Sequence, residues 1–215
     1  MKNIKRLKKE MIKICHQMYK KGFINATDGN VSVRFEKHEI LITRSGTHKG
    51  FLTLEDILIT DLTGAVVSGK GKPSSEIRMH LEVYSRRDDV KAVIHAHPPL
   101  CTAFSLSGSP IPTVWLPEVY LIFGNEIPLA SYATPSTQEV PEAISPYLKN
   151  HDALILSRHG SLTLGENLWE AFCKLEKMEN TAWVTFFAKM IGNPKPMNNE
   201  ELNLLAEIRS KMRAS

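Results

Sequence analysis

Residues 90–99, VKAVIHAHPP, combine an apolar run, two histidines and two prolines. The apolar first half predicts a buried strand, and the prolines that follow end it. Side chains alternate between the two faces of a strand, so His95 and His97 point the same way. Two imidazoles side by side at a strand end are the beginning of a metal site. They are equally compatible with two polar residues at a sheet edge, so other ligands must distinguish these possibilities.

The composition is that of a globular protein with a full hydrophobic core. Hydrophobic residues make up 42% and charged residues 23% of the 215 residues. This length fits one compact domain, predicted to span residues 1–215. Three widely separated cysteines argue against a disulfide framework and favour a cytoplasmic location with reduced thiols. The chain has no apolar stretch long enough to span a bilayer, so we expect no membrane partner.

Much of the net charge of +4 comes from the start of the chain. Six basic residues lie within residues 2–13, but apolar residues recur among them at helical spacing. This pattern predicts an amphipathic helix with a solvated face, not a transit peptide or a nucleic-acid-binding arm. We therefore expect no nucleic-acid partner, and so small a charge excess indicates only that anionic small molecules can bind.

Hydrophobic periodicity and turn residues predict hairpins interrupted by helices. The predicted helices cover about residues 2–21, 74–86, 100–106, 136–150, 168–191 and 198 onward. The predicted strands cover residues 31–35, 39–43, 57–61, 65–67, 90–97, 153–156 and 161–164, and residues 110–132 are predicted as strands and loops. Ser136 and Glu139 are predicted to form a capping box. Because hairpins dominate, the expected fold is α/β, a three-layer α/β/α arrangement with a central, mostly antiparallel mixed sheet flanked by helices.

Two further residues could complete a metal site with the histidine pair. His159 lies in a predicted turn between two short strands, a rigid mount in which Gly160 allows a sharp bend. Glu76 lies in the first turn of a predicted helix, where the helix dipole stabilises a carboxylate. Three imidazoles and one carboxylate suit Zn²⁺ or another divalent transition metal. The alternatives are an ordinary turn histidine and an ordinary helix-start glutamate. His80, one helical turn after Glu76, could support that carboxylate.

Three short polar clusters have the composition of an oxyanion site. They are Gly29-Asn30, Ser45-Gly46 and Ser74-Ser75. Each lies beside a predicted strand end or helix start, where backbone N–H groups, hydroxyls and amides can bind phosphate. Each cluster alone is also typical of a turn or a helix cap. Ser74-Ser75 is the most informative of the three, because it would place an anion next to Glu76.

These motifs occur together in the order and approximate spacing of a known family. The sequence resembles the class II aldolase/adducin family in TDGNVSVR (27–34), ITRSG (42–46), KPSSE (72–76), HAH (95–97) and RHG (158–160). The resemblance covers nearly the whole chain as one domain and is greatest to the family's fuculose-phosphate aldolases, including residues 128–134. It implies a zinc ion held by Glu76, His95, His97 and His159. It also implies a phosphate pocket formed by Gly29, Asn30, Ser45, Gly46, Ser74 and Ser75.

The activity implied by the resemblance is that of a metal-dependent aldolase. Such an enzyme reversibly cleaves a ketose 1-phosphate, of the L-fuculose 1-phosphate or 5-deoxypentulose 1-phosphate kind, to dihydroxyacetone phosphate and an aldehyde. The metal acts as a Lewis acid, Glu76 acts as general base and acid, and the phosphate pocket orients the substrate. Family members usually form homotetramers with active sites at subunit boundaries. The alternatives are a sugar-phosphate epimerase, dehydratase or decarboxylase with the same metal site, and a non-catalytic, adducin-like assembly protein.

The sequence departs from the fuculose-phosphate aldolases where the aldehyde is expected to bind. Those enzymes carry a tyrosine after the paired histidines and another near the C-terminus, whereas this chain has VWLPEVY at 114–120 and no tyrosine after Tyr147. Glu118, close to Tyr120, lies where related epimerases and dehydratases carry acidic catalytic groups. It could act as a second acid or base, and the alternative is that it is an ordinary surface glutamate. Asp28 replaces a small residue and is expected to change the charge of the phosphate pocket.

Overall fold

The computed structural model describes residues 2–214, which form a three-layer α/β/α fold with eight strands in one mixed sheet. The strands are β1 (Asn30–Glu36), β2 (Glu39–Thr43), β3 (Ile57–Asp61), β4 (Val66–Ser68), β5 (Ala92–Ala96), β6 (Leu129–Ala130), β7 (Ala153–Leu156) and β8 (Gly160–Gly165). The α-helices are α1 (Lys2–Lys20), α2 (Ile77–Arg86), α3 (Pro99–Ser107), α4 (Pro117–Phe123), α5 (Glu139–Ile144), α6 (Leu168–Ile191) and α7 (Asn199–Ala214). Short 3₁₀ turns lie at Lys49–Phe51, Leu54–Asp56 and Ser145–Tyr147.

The strand that carries the histidine pair lies inside the sheet. The sheet has the order β4-β3-β2-β1-β5-β8-β7-β6, and only β6 and β7 pair in parallel. In this register His95 lies opposite Asn30 of β1 on one side and Leu162 of β8 on the other. The predicted, mostly antiparallel mixed sheet is confirmed, and the strand that carries His95 is paired along both of its edges.

Residues of the inner strands point alternately into two separate cores, as a period of two requires. The first core joins Val31 and Ile94 to buried residues of α1, α3 and α6. The second core, on the opposite side of the sheet, joins Val93 to buried residues of α2 and α5. The buried polar residues that alternate with the first-core residues of β1 and β5 are Asn30, Ser32 and His95. On β1 and β5, these buried polar side chains therefore lie on the side of the sheet that α2 covers.

The segment predicted as strands and loops over residues 110–132 contains a helix, so that prediction is wrong in part. Helix α4 occupies Pro117–Phe123, and the short strand β6 follows it. Val119 and Phe123, one helical turn apart, are buried in the first core. Seven residues are too few to establish a helical period in sequence, and the flanking prolines and β-branched residues favoured a strand.

The predicted helix over residues 136–150 is shorter than expected, and its predicted capping box is wrong. Helix α5 covers only Glu139–Ile144, and Pro146 lies in the 3₁₀ turn that follows. Ser136 has a left-handed φ of +66° and does not cap the helix. The Glu139 carboxylate instead accepts a hydrogen bond from Thr134 N at 2.8 Å.

Two helices form the last part of the described chain. Asn167 caps α6, whose first half is buried in the first core. The second half of α6 exposes a set of large side chains by 43% to 69%, which we call the α6 apolar face. These residues are Trp183, Phe186, Phe187 and Met190. Neither α6 nor any other helix within residues 2–214 has the apolar length needed to cross a bilayer.

Candidate metal centre

Side chains from three separate parts of the chain meet at one end of β5. His95 lies in β5 and His97 just beyond it, His159 lies in the turn between β7 and β8, and Glu76 is the N-cap of α2. The three histidines offer ring nitrogens that lie within 4.8 Å of one another. Glu76 Oε2 lies 3.2 Å from His95 Nε2, and Glu76 Oε1 lies 3.2 Å from His159 Nε2. The structure thus brings together all four residues that the sequence suggested as metal ligands.

The orientation of these groups fits a bound divalent metal. His95 Nδ1 lies 2.9 Å from the Ser161 carbonyl and donates its N–H there, which leaves Nε2 with a free lone pair. His97 Nε2 lies 2.9 Å from that same nitrogen. Glu76 Oε1 is buried, yet it finds no aligned hydrogen-bond donor within residues 2–214. Ligands about 2.0–2.1 Å from a tetrahedral zinc lie about 3.3 Å from one another, close to the separations seen here.

The electrostatics of the centre favour the protonation states that a metal requires. Burial alone would raise the pKa of Glu76, but His95 and His159 outweigh that effect and hold the pKa well below its usual range. Burial, together with the two neighbouring histidines, lowers the pKa of His97 to about 3. Metal ligands must be ionised carboxylates and neutral imidazoles. At neutral pH Glu76 and His97 are already in those forms.

The turn that carries His159 depends on a close approach between two backbones. A Cβ on Gly160 would collide with the Ala96 carbonyl and would lie 2.6 Å from His97 Cδ2. The left-handed residue of this turn is Arg158, with a φ of +57°. Gly160 is therefore needed for packing against the histidine strand, and the prediction that it provides the bend is wrong.

The three polar clusters predicted to bind phosphate lie around the metal centre. Ser74 N–H donates to Thr43 O, which brings the third cluster beside Ser45-Gly46. A Cβ on Gly29 would lie 2.9 Å from His95 O, and the φ of Gly29 is +68°, so only glycine fits there without strain. The clusters that are distant in sequence are therefore neighbours in the fold.

The six residues of these clusters differ in what they are free to bind. Ser45, Gly46 and Ser75 are exposed, whereas Gly29, Asn30 and Ser74 are buried. The Asn30 carboxamide donates to Glu76 Oε2 at 2.9 Å, and the Ser74 hydroxyl accepts from Glu76 N–H at 3.3 Å. Both buried side chains are thus engaged with Glu76, while the exposed residues are open to a ligand.

Lys49 was not identified from the sequence, yet it joins two of these clusters. Its ammonium group is buried and donates to Thr27 O and Thr47 O, each at 2.9 Å. These carbonyls belong to the turns that precede Gly29 and follow Ser45. Burial lowers the pKa of Lys49. No sequence signal distinguishes this residue from the surface lysines that are usual in such turns.

His80 lies behind the centre and reaches Glu76 only through another residue. It is fully buried, with Nε2 2.5 Å from Asn30 Oδ1 and Nδ1 2.6 Å from Ser32 Oγ. The four-residue spacing from Glu76 predicted its place on the helix correctly. The identity of its direct partners was not evident from that spacing.

Three residues from the departing segments lie at the edge of the centre or away from it. Glu118 is exposed in the first turn of α4, and Tyr120 is buried in the same helix. Within residues 2–214, neither forms a hydrogen bond or ion pair with the four candidate ligands. The Asp28 carboxylate lies 3.8 Å from His97 Nδ1. The extra negative charge of Asp28 is therefore placed beside a candidate metal ligand.

Known proteins share both this sequence and this fold. Residues 9–186 match the family described as Class II Aldolase and Adducin N-terminal domain. An L-fuculose phosphate aldolase of Methanococcus vannielii is 41% identical over 174 residues, covering 81% of this chain and 92% of that protein. The L-fuculose phosphate aldolase of Escherichia coli K12 is 35% identical over 206 residues, covering 94% and 93%. A solved L-fuculose 1-phosphate aldolase has a TM-score of 0.86 at 34% identity, covering 94% and 95%. The chain belongs to the class II aldolase and adducin family.

Proposed function

We propose that this chain is a zinc-dependent aldehyde-lyase that reversibly cleaves a ketose 1-phosphate to dihydroxyacetone phosphate and an aldehyde. The proposed substrate is L-fuculose 1-phosphate, which the names of the relatives mention, or a 5-deoxypentulose 1-phosphate. The observation that carries the proposal is the convergence of Glu76 and three histidines beside exposed polar turns. A non-catalytic assembly protein would not need four metal-binding side chains at one point.

The residues of the centre have separate roles in this reaction. Zinc bound here would supply a Lewis acid that stabilises the negative charge developing on the substrate oxygens. Glu76 is the general base and acid. In the direction of synthesis it takes a proton from the hydroxymethyl carbon of dihydroxyacetone phosphate, and in cleavage it returns that proton. Its ionised state supports this role, as does its buried Oε1, which lies 3.2 Å from His159 Nε2 and receives no aligned hydrogen bond within residues 2–214.

The exposed polar turns form the phosphate site of the proposal. Ser75 directly precedes Glu76, Ser45-Gly46 lies next to Ser74, and Ser45, Gly46 and Ser75 are all exposed. Lys49 supports the site from behind, because its ammonium group holds two of the turns together. A substrate phosphate bound by these turns, away from the reacting carbon, would orient the substrate without taking part in the chemistry.

We further infer that residues 1–215 act as one domain within a homotetramer whose active sites lie at subunit boundaries. The α6 apolar face supports self-association, because large exposed apolar patches are typical of subunit contacts. Light scattering on the purified protein should give the mass of four chains, and a monomer mass would contradict the inference. A cytoplasmic location suits the free cysteines Cys15, Cys101 and Cys173.

The role of Glu76 is tested with the variant Glu76→Gln. Wild-type protein purified with zinc should release dihydroxyacetone phosphate from L-fuculose 1-phosphate. Glu76→Gln should lose turnover while keeping its affinity for inorganic phosphate, because the base is lost and the polar turns remain. Glu126→Gln, a change at an exposed carboxylate paired with His151, is the matched control and should keep turnover. Normal turnover in Glu76→Gln, or a wild-type protein that binds no divalent metal, would contradict the proposal.

A further inference from the structure

A chain of buried hydrogen bonds begins at Glu76 and continues through Asn30, His80, Ser32 and Tyr84. We propose that this chain positions the Glu76 carboxylate by fixing which end of the Asn30 amide faces it. His80 is then a positioning residue for the metal centre. The inference rests on the proposed function, because it assigns a support to Glu76 as a metal ligand.

The links of the chain are continuous and shielded from water. Asn30 Nδ2 lies 2.9 Å from Glu76 Oε2, and Asn30 Oδ1 lies 2.5 Å from His80 Nε2. Ser32 Oγ lies 2.6 Å from His80 Nδ1 and 2.8 Å from the Tyr84 hydroxyl. Each of the four supporting residues is at most 3% exposed. Water is therefore not available to replace a missing partner.

Two sequence periods bring these side chains into line. Glu76, His80 and Tyr84 follow at intervals of four, so they lie on one face of α2 and its N-cap. Asn30 and Ser32 are two residues apart in β1, so they share the face of the sheet that α2 covers. The chain of hydrogen bonds arises where this helix face meets this strand face.

The chemistry of the groups fixes the direction of each hydrogen bond. A carboxylate only accepts, so the Asn30 nitrogen must face Glu76 and the Asn30 oxygen must accept from His80 Nε2–H. His80 Nδ1 is then unprotonated and accepts from the Ser32 hydroxyl, which in turn accepts from Tyr84 O–H at 2.8 Å. The other acceptor near Tyr84 O–H, the Lys91 carbonyl, is more distant at 3.5 Å. Burial and the neighbouring His95 lower the pKa of His80 to about 3, and burial raises the pKa of Tyr84. Both groups are neutral at pH 7, as this direction requires.

His80 is the decisive link because it holds the oxygen end of the amide. Without the His80 N–H, Asn30 Oδ1 loses this donor, and the amide can rotate to place its oxygen against Glu76. Two oxygens facing each other repel, so the carboxylate would leave its position 3.2 Å from His95 Nε2. Partners that orient a metal ligand are typically worth about 10- to 100-fold in metal affinity.

The test compares His80→Gln with His80→Met in the full chain. The two replacements are similar in size, but only glutamine offers an N–H near the place of His80 Nε2. Zinc affinity is measured with the metal alone, by competition with a chromophoric chelator, and kcat and KM are measured with L-fuculose 1-phosphate. We expect His80→Gln to bind zinc within about threefold of wild type and His80→Met to bind at least about tenfold more weakly. The loss in His80→Met should fall mainly on kcat, because the phosphate site is unchanged.

The two variants also separate positioning from packing. A packing role favours methionine, which is apolar, so equal zinc affinity in both variants, or weaker affinity in His80→Gln, would overturn the inference. If His80→Met does not fold, Tyr84→Phe supplies the test, since it removes only the last O–H and should weaken zinc binding to a smaller extent. Unchanged zinc affinity in Tyr84→Phe would then overturn the inference. A wild-type protein that binds no zinc would instead refute the proposed function.

Discussion

Replacing Glu179 with alanine should destabilise the protein strongly, because this residue of α6 caps the helix that follows His95 and His97. Helix α3 starts after His97 with prolines that have no N–H, so its first free amides belong to Leu100 and Cys101. Both amides donate to Glu179 carboxylate oxygens at 2.9 Å, and Glu179 is only 2% exposed. A buried carboxylate that accepts two helix N-terminal amides is a strong cap.

The size of the effect follows from the two hydrogen bonds. Hydrogen bonds to a charged group contribute about 1.5–3 kcal/mol each, and removing the buried charge returns part of their sum. We expect Glu179→Ala to lower the free energy of unfolding by about 3 kcal/mol. Glu179→Gln keeps the shape of the side chain but places its amide NH₂ group against one of the two N–H donors. It should therefore lower the free energy of unfolding by at least about half as much as Glu179→Ala.

Urea unfolding followed by circular dichroism at pH 7 measures these differences. The control is Glu176→Ala on the same helix, because the Glu176 carboxylate is 32% exposed and pairs with Lys21 at 2.9 Å. Such a pair contributes less than about 1 kcal/mol. Since α3 follows His97 directly, Glu179→Ala should also weaken zinc binding, and Glu176→Ala should not. Equal destabilisation by the two alanine variants would refute the capping role.

Two further predictions concern a buried ion pair and a close backbone contact. Burial alone would raise the pKa of Asp152, but Lys174 and Arg87 outweigh it and hold the pKa below its usual range. Asp152→Asn should therefore have a lower free energy of unfolding than wild type at pH 7. This difference should vanish as the pH falls from about 4 through the lower pKa of Asp152 in the folded protein. A difference that does not change with pH in urea unfolding would contradict this prediction. Gly160→Ala should weaken zinc affinity, because its Cβ would displace the histidine strand. Gly192→Ala, whose Cβ meets nothing within 4 Å, is the control, and equal affinities in the two variants would exclude the effect.

The four candidate metal ligands could be predicted from sequence because short-range rules and family motifs agree on them. The two-residue period of a strand places His95 and His97 on one side whatever the rest of the chain does. Glu76 at a helix start and His159 in a strand–turn–strand unit are also local features, which made them candidates, and the resemblance implied that they join the pair as ligands. The geometry brings the four together at the end of β5.

The supporting contacts could not be predicted, because they depend on which distant segments meet. Asn30 has the sequence features of a phosphate-binding turn residue, and only the packing of α2 on β1 directs its amide to Glu76. Lys49 is buried because two turns close over it, although lysine is ordinarily exposed. Glu179 lies far along the chain from the amides that it caps. These three roles follow from tertiary packing, which no local pattern encodes.

The sheet order also determines when, during synthesis of the chain, the candidate metal centre can form. The inner strands join distant parts of the chain, since β1 pairs with β5 and β5 with β8. Chains with many such contacts fold slowly, and a domain generally folds as a unit. A nascent chain that ends before His159 therefore holds some of the ligands without a centre, and one that ends before Glu179 lacks the cap of α3. Metal binding at the proposed centre would consequently be a late step in the synthesis of each chain.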